Sequence, residues 1–370
     1  MQSHGFSNQA YLYTGLAVQI ACSLGLHCDK YCASYGGVEK EQARRVWWSL
    51  IVFDQDLSLR LGKPFATKES WCPPLPSEVI LPSGAYSPPE YLAACKELSL
   101  LVSITQKRLY KDPFVLHHEI EINALLEILA SLTQWSDNLP PHLRLLVPTA
   151  PLHRRPISLL HLRYHGSRLL IARPFLLYQL LFQANGPETP KSSSLDTFSA
   201  ICLTSAEQML AILQSMVNDG IHSKLIAMDF YYALDILHIF LASFALTADQ
   251  KQFDNIYRCL KILQAMGTTG FGERMLPEVL FELIEWGIFP YQLDNRADGH
   301  MEAQQNLQNC LQDLDESLSN GDAPSEIHDW YAVPPKLTSR QKPSGIFSLD
   351  VPLDFPSEEV MGEILCPSVE

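Results

Sequence analysis

Glu39 to Pro64 reads EKEQARRVWWSLIVFDQDLSLRLGKP, and this stretch decides the fold. Val46, Leu50, Phe53, Leu57 and Leu61 recur at spacings of four, three, four and four, the stripe of an amphipathic helix with one face on a core. Gly62 suits the left-handed conformation that closes a helix, and Pro64 cannot continue one. Trp47 and Trp48 point about 100° apart around the helix axis, so burying both takes neighbours on more than one side. The spacing therefore predicts a central helix. Its charges are too many for full burial: Asp56 and Arg60 are placed for an i,i+4 pair, and Asp54 reads as a buried carboxylate awaiting an arginine from elsewhere.

Outward from this helix, the chain is 370 residues long, 47% hydrophobic and 18% charged, enough for one large or two ordinary domains. It has 27 Lys and Arg against 41 Asp and Glu, a net charge of −14. With no basic run longer than pairs such as Arg44-Arg45 and Arg154-Arg155, this balance argues against the chain gripping nucleic acid by itself. Nine scattered cysteines read as core thiols of a reduced compartment. Leu225 to Leu246 is long enough to span a membrane, but Asp229 and Asp235 lie inside it, so it reads as a buried helix.

The helical period predicts further helices at Ser7–Leu24, Tyr91–Tyr110, Leu116–Trp135, Ile157–Phe182, Leu195–Val217, His222–Leu246, Phe253–Met266 and Leu276–Trp286. In the first, Leu12, Leu16, Ile20 and Leu24 form the expected core stripe, with Ser7 or Asn8 as its cap and Gly25 at its end. The run after Pro64 is too proline-rich for regular structure and reads as a surface connection. No period-2 strand is visible, so the fold class is all-α: a multi-helix regulatory domain with a disordered acidic C-terminal tail. Residues 1–182 form the first part of the helical domain, 183–194 a linker, 195–318 a further helical region and 319–370 the acidic-hydrophobic tail. Gly345 to Glu370 contains six acids and no base, with apolar residues interleaved.

Several elements agree in order and spacing with one family. Gly25, Leu26, His27 and Asp29, then Arg44, Arg45, Trp47, Trp48, Asp54, Gly62 and Pro64, resemble the middle homology domain of fungal binuclear zinc-cluster transcription factors. His161, Tyr164 and His165, followed by Arg173 and Pro174, are similar to its second landmark. The resemblance is strongest from Tyr11 to about Pro76. It implies a nuclear, non-enzymatic regulator of RNA polymerase II transcription, whose helical domain lies between an N-terminal zinc cluster that reads DNA and a C-terminal activating region. Where the family usually has arginine, Gln19, Gln55 and Lys63 stand here, and Cys28 replaces another of its basic residues.

The zinc cluster is absent: no C-x2-C-x6-C run occurs, and Cys22, Cys28 and Cys32 have the wrong spacing. No cofactor is expected in this chain, and DNA is a partner only through the missing zinc-cluster domain. On this reading the chain is an N-terminally truncated form, so the Ser7–Leu24 helix should expose apolar area. Candidate partners are a coactivator, through Phe347, Leu349, Leu353 and Phe355 of the tail, and a second copy of the chain; no membrane is expected. The alternatives are a helical dimerisation or scaffold module without transcriptional activity and, further off, a helical enzyme.

Other constellations read as bland. His161 and His165 have the i,i+4 spacing of a zinc helix, but Leu162 stands where H-E-x-x-H has its base. His117, His118, Glu119 and Glu121 could offer ligands and read as solvated helix-start residues. Gly267, Gly270 and Gly272 reverse the dinucleotide fingerprint and follow a helix where a strand is needed. No catalytic or metal-binding residue is therefore assigned.

Overall fold

A computed structural model of the chain describes residues 2–61, 63–68, 70–71, 73–77, 87–109, 122–185, 193–223, 228–267, and 275, 276, 279 and 283. Among these there are eight α-helices, two short 3₁₀ turns and no strand, an all-α fold as the periodicity predicts. The helices are α1 (Gln2–Ser23), α2 (Gly37–Arg60), α3 (Tyr91–Leu109), α4 (Ile122–Asp137), α5 (Pro151–Asn185), α6 (Ser193–Asn218), α7 (Met228–Thr247) and α8 (Gln250–Met266). The 3₁₀ turns are Tyr31–Ser34 and Pro141–Leu143. The acidic tail lies outside the described residues, as do Gly62, the His117–Glu121 cluster and most of the expected Leu276–Trp286 helix. Of that helix, Leu276, Val279 and Leu283 are helical and buried.

The chain divides into two compact units, with the division between Ile171 and Ala172 inside α5. Pro174 lies just beyond it, and a proline within a helix cannot donate the hydrogen bond that its position would otherwise supply. In the first unit α1 packs on α2, α2 on α3 and α3 on α4. Val18, Ala21, Trp47, Trp48 and Ile51 form a core against which Leu26, Ala66, Trp71, Leu75 and Leu92 pack. The tryptophan helix is therefore central.

Its inward face differs from the expected stripe. Val46 and Phe53 are exposed, while Leu57 is buried as expected and Trp47, Trp48, Ile51, Asp54, Gln55 and Ser58 are buried with it. Nearly half of that face is polar, so hydrophobic periodicity reads it poorly; hydrogen bonding makes its burial tolerable. Gln55 donates from Nε2 to Ser103 Oγ at 3.1 Å and to the Ser99 carbonyl at 3.4 Å. The α1 stripe is also inverted: Leu12, Leu16, Ile20 and Leu24 face out, and Thr14, Val18 and Ala21 face in. The expected exposure of apolar area on this helix is thus present. Nor does the helix start at Ser7 or Asn8; it begins at Gln2, and Asn8 Oδ1 accepts from Lys63 Nζ at 2.5 Å.

In the second unit α6, α7 and α8 pack against one another. Phe175 of α5 stacks on Phe198 of α6, ring centroids 4.1 Å apart. Both α6 and α7 are long and apolar enough to cross a membrane. Most of α7 is buried within this unit, and its Asp229, fully buried, accepts from the Ser223 N–H at 2.7 Å. That is the buried helix expected for Leu225 to Leu246. Asp249 caps α8 by accepting from the Lys251 N–H at 3.1 Å.

Candidate functional site

Most of the residues that carry the resemblance converge where α1 turns into α2. Gly25 has φ +77°, and a Cβ there would meet Tyr31 Cβ at 2.5 Å, so glycine is required on both counts. The Gly25 N–H donates to the Cys22 carbonyl and the Leu26 N–H to the Ala21 carbonyl, each at 3.0 Å, which closes α1 with a Schellman motif. Leu26 is thereby turned onto the core. His27 follows and enters an aromatic cluster, its ring 5.3 Å from Trp71, 6.0 Å from Trp47 and 5.9 Å from Tyr31.

Asp29 then anchors the loop to α2. Arg44 donates to its Oδ1 from Nε (3.0 Å) and from the terminal amine (2.7 Å), and Lys40 approaches Oδ2 at 2.9 Å. The hydrogen bond from Lys40, with the help of Arg44, holds the Asp29 carboxyl below its usual range. Arg44 also donates to Glu41 Oε1 at 2.5 Å, and the second oxygen of this buried carboxylate accepts from the Ser77 N–H. Arg45 is half-buried beside this network.

The run after α2 is irregular, as its prolines predict, but it is not a simple surface connection. Thr67 is buried and Trp71 packs on the core, so the run forms a strap across α2. Trp47 Nε1 donates to the Trp71 carbonyl at 3.1 Å, and Trp48 Nε1 to the Pro74 carbonyl at 3.4 Å. Tyr11 holds its start, donating to the Pro64 carbonyl at 2.9 Å. Asp54 is fully buried, as expected, but it does not wait for an arginine. It accepts from the Ala66 N–H (3.2 Å), the Thr67 N–H (2.9 Å), Thr67 Oγ1 (2.7 Å) and Ser58 Oγ (3.3 Å). The arginine goes instead to Asp56, which accepts from Arg163 Nε of α5 at 2.7 Å; the Arg60 side chain, its expected partner, lies outside the described residues.

The second landmark is divided. His161 and Tyr164 are buried and His165 half-buried in the first unit; Arg173 and Pro174 belong to the second. His161 Nε2 lies 2.9 Å from the Leu143 carbonyl, an acceptor only, so this nitrogen carries the proton and is not free to bind a metal. His165 meets the Tyr164 ring edge-on at 4.8 Å, and burial, with His161 and Arg168 adding, holds it down to about 4. In the second unit burial lowers His238 to about 4 and raises Cys202 to about 12, with the Arg173 charge acting on both. Sequence reasoning missed Glu41, Trp71 and Arg163. Trp71 alone had a signal, a large aromatic within a proline-rich run.

This constellation locks a loop and a strap onto a helix. Among the described residues no group of three His, Cys, Asp or Glu is placed to hold a metal. Cys32, moreover, is buried with its thiol donating to the Gly25 carbonyl at 3.4 Å.

Residues 2–82, which span the whole lock, match the fungal specific transcription factor domain. The chain is 26% identical to an uncharacterised transcriptional regulatory protein of Schizosaccharomyces pombe, over 62% of this chain and 29% of that protein. It is 27% identical to transcription factor FBD3 of Gibberella moniliformis, over 64% of this chain and 34% of that protein. It is 31% identical to the acetamidase regulatory protein of Emericella nidulans, over 45% and 21% respectively. The chain thus spans about a third or less of these relatives' length. No solved structure matches it. The chain carries a fungal-specific transcription factor middle homology domain, and the proteins it is similar to are fungal transcriptional regulators.

Proposed function

We propose that this chain is the regulatory region of a nuclear fungal transcription factor, that it governs RNA polymerase II transcription without enzymatic activity, and that DNA is read by a zinc cluster outside these residues. The observation that supports this most is the coincidence of the family match at residues 2–82 with the lock around Trp47, Trp48 and Asp54. The net charge of −14 supports placing DNA contact elsewhere, because gripping phosphates requires clustered cations. Among the described residues, buried thiols and histidines engaged in packing offer no convergent acid, base and nucleophile, which favours regulation over a helical enzyme.

Within this reading Gly345 to Glu370 is the activating segment, with Phe347, Leu349, Leu353 and Phe355 as the coactivator contacts, and the helical domain restrains it. Fusing these residues to an unrelated DNA-binding domain tests the role directly. The isolated segment should switch on a reporter, and attaching residues 1–344 should lower the signal. A silent segment would leave a dimerisation or scaffold module as the better reading, and an undiminished signal would remove the restraint.

A further inference from the structure

Residues 145–155, LLVPTAPLHRR, lie between the second 3₁₀ turn and α5 and run into the start of that helix. Leu146 is 98% exposed and Leu152 63%, with Leu145 and Val147 at 39 and 37%, which makes an apolar strip on the surface of the first unit. Its surroundings are basic. Residues 138–187 are the longest acid-free stretch of the chain and hold six arginines, although the net charge is −14. Arg144 and Arg154 are exposed and Arg155 is half-buried. Arg144 donates to the Leu139 and Asp137 carbonyls at 3.2 and 3.0 Å, contacts that hold its guanidinium without neutralising it. The first turn of α5 has no acid. His153, Arg154 and Arg155 stand instead at the end of the helix where its dipole favours anions, so an acidic partner would relieve two unfavourable terms at once. Glu90 borders the region, 3.6 Å from His142.

A strip of leucines beside arginines takes a segment that is apolar and acidic together, and the chain supplies one. Gly345 to Glu370 contains six acids and no base. Within it Phe347, Leu349, Val351, Leu353 and Phe355 alternate with Ser348, Asp350, Pro352 and Asp354. Pro352 bars this run from the interior of a sheet, but laid along a surface in an extended path it has one apolar side and one acidic side. Residues 297–335 are also acidic, with eight acids and no base, yet Leu307, Leu311, Leu314 and Leu318 recur there at helical spacing.

We propose that the strip from Leu145 to Leu152, gripped by Arg144, Arg154 and Arg155, is the seat of the chain's own Gly345 to Glu370 segment. Phe347, Leu349, Leu353 and Phe355 then meet either the seat or a coactivator, and the two compete. That competition rests on the reading of the segment as activating; the seat itself does not.

Photocross-linking of the full chain tests the seat. With p-benzoylphenylalanine in place of Phe347 or Phe355, mass spectrometry should find the adduct on residues 145–155 of the same copy. Leu146→Asp should cut that adduct about tenfold or more at unchanged melting, because the side chain is exposed. Joint Asp350→Lys and Asp354→Lys should lower it too, and adding Arg154→Glu and Arg155→Glu should bring it back. Acids at a helix start do not endanger α5. Adducts elsewhere, adducts joining isotope-labelled to unlabelled copies, indifference to Leu146→Asp, or no recovery on the charge exchange each overturn the proposal. The reporter fusion separates this from the restraint. If Leu146→Asp removes the adduct and leaves the reporter unchanged, the seat stands and the restraint falls; a restrained reporter with no adduct on residues 145–155 overturns the seat alone.

Discussion

Asp54 shows what a single buried carboxylate does here. It takes the N–H groups of Ala66 and Thr67 and the Thr67 hydroxyl, and so fastens the strap's first turn with charge-assisted hydrogen bonds. Asp54→Ala would strand these donors, and each buried donor left without a partner costs about 1–3 kcal/mol. The expected loss is about 3 kcal/mol, read as a fall in the urea midpoint at unchanged slope. Asp54→Asn keeps an acceptor and should lose about half as much. The burial of Asp54 was expected from the sequence, but its ground, a place beside an inward Phe53, does not hold, because Phe53 faces out. Its partners were not legible, because an arginine is visible as a letter whereas a backbone N–H twelve residues along is not.

At the scale of elements, Arg163 fastens one helix to two others. From α5 it donates to Asp56 of α2 at 2.7 Å and to Ser99 Oγ of α3 at 3.3 Å. Arg163→Ala leaves a largely buried carboxylate unpaired and should cost about 3–5 kcal/mol; the Asp56→Ala, Arg163→Ala double variant should recover part of that loss, which a double-mutant cycle in urea measures. The existence and order of the helices were legible from period and punctuation. Orientation was not, in the two helices that matter most. α1 has two apolar faces, and the stronger row, from Leu12 to Leu24, is the one that faces out. In α2 the inward face mixes tryptophan with Asp54, Gln55 and Ser58, so the core side is marked by hydrogen bonding rather than by hydrophobicity.

On the scale of the whole molecule, each compact unit holds a histidine that burial keeps neutral: His165 in the first and His238 in the second, both lowered from 6.5 to about 4. The unfolded chain takes up a proton at each site as pH falls through 6.5, and the folded chain does so only near 4. These two groups therefore make stability decline as pH falls across that window, and they add no slope above it. Urea midpoints should decline between those limits, and His165→Gln should flatten part of the decline. Asp29, held low by Lys40 and Arg44, acts in a separate range, losing its contribution only below the ordinary carboxyl value of 3.8.

The strap after α2 has a consequence for how this region can change over time. Trp47 and Trp48 bond to its carbonyls, and Asp54 to two of its N–H groups. Such contacts recognise the path of a main chain and are nearly indifferent to the side chains along it. Mutational drift can therefore rewrite strap positions whose side chains hold nothing, while the heritable constraint falls on the three residues beneath it and on Thr67 and Trp71, whose side chains also seat the strap.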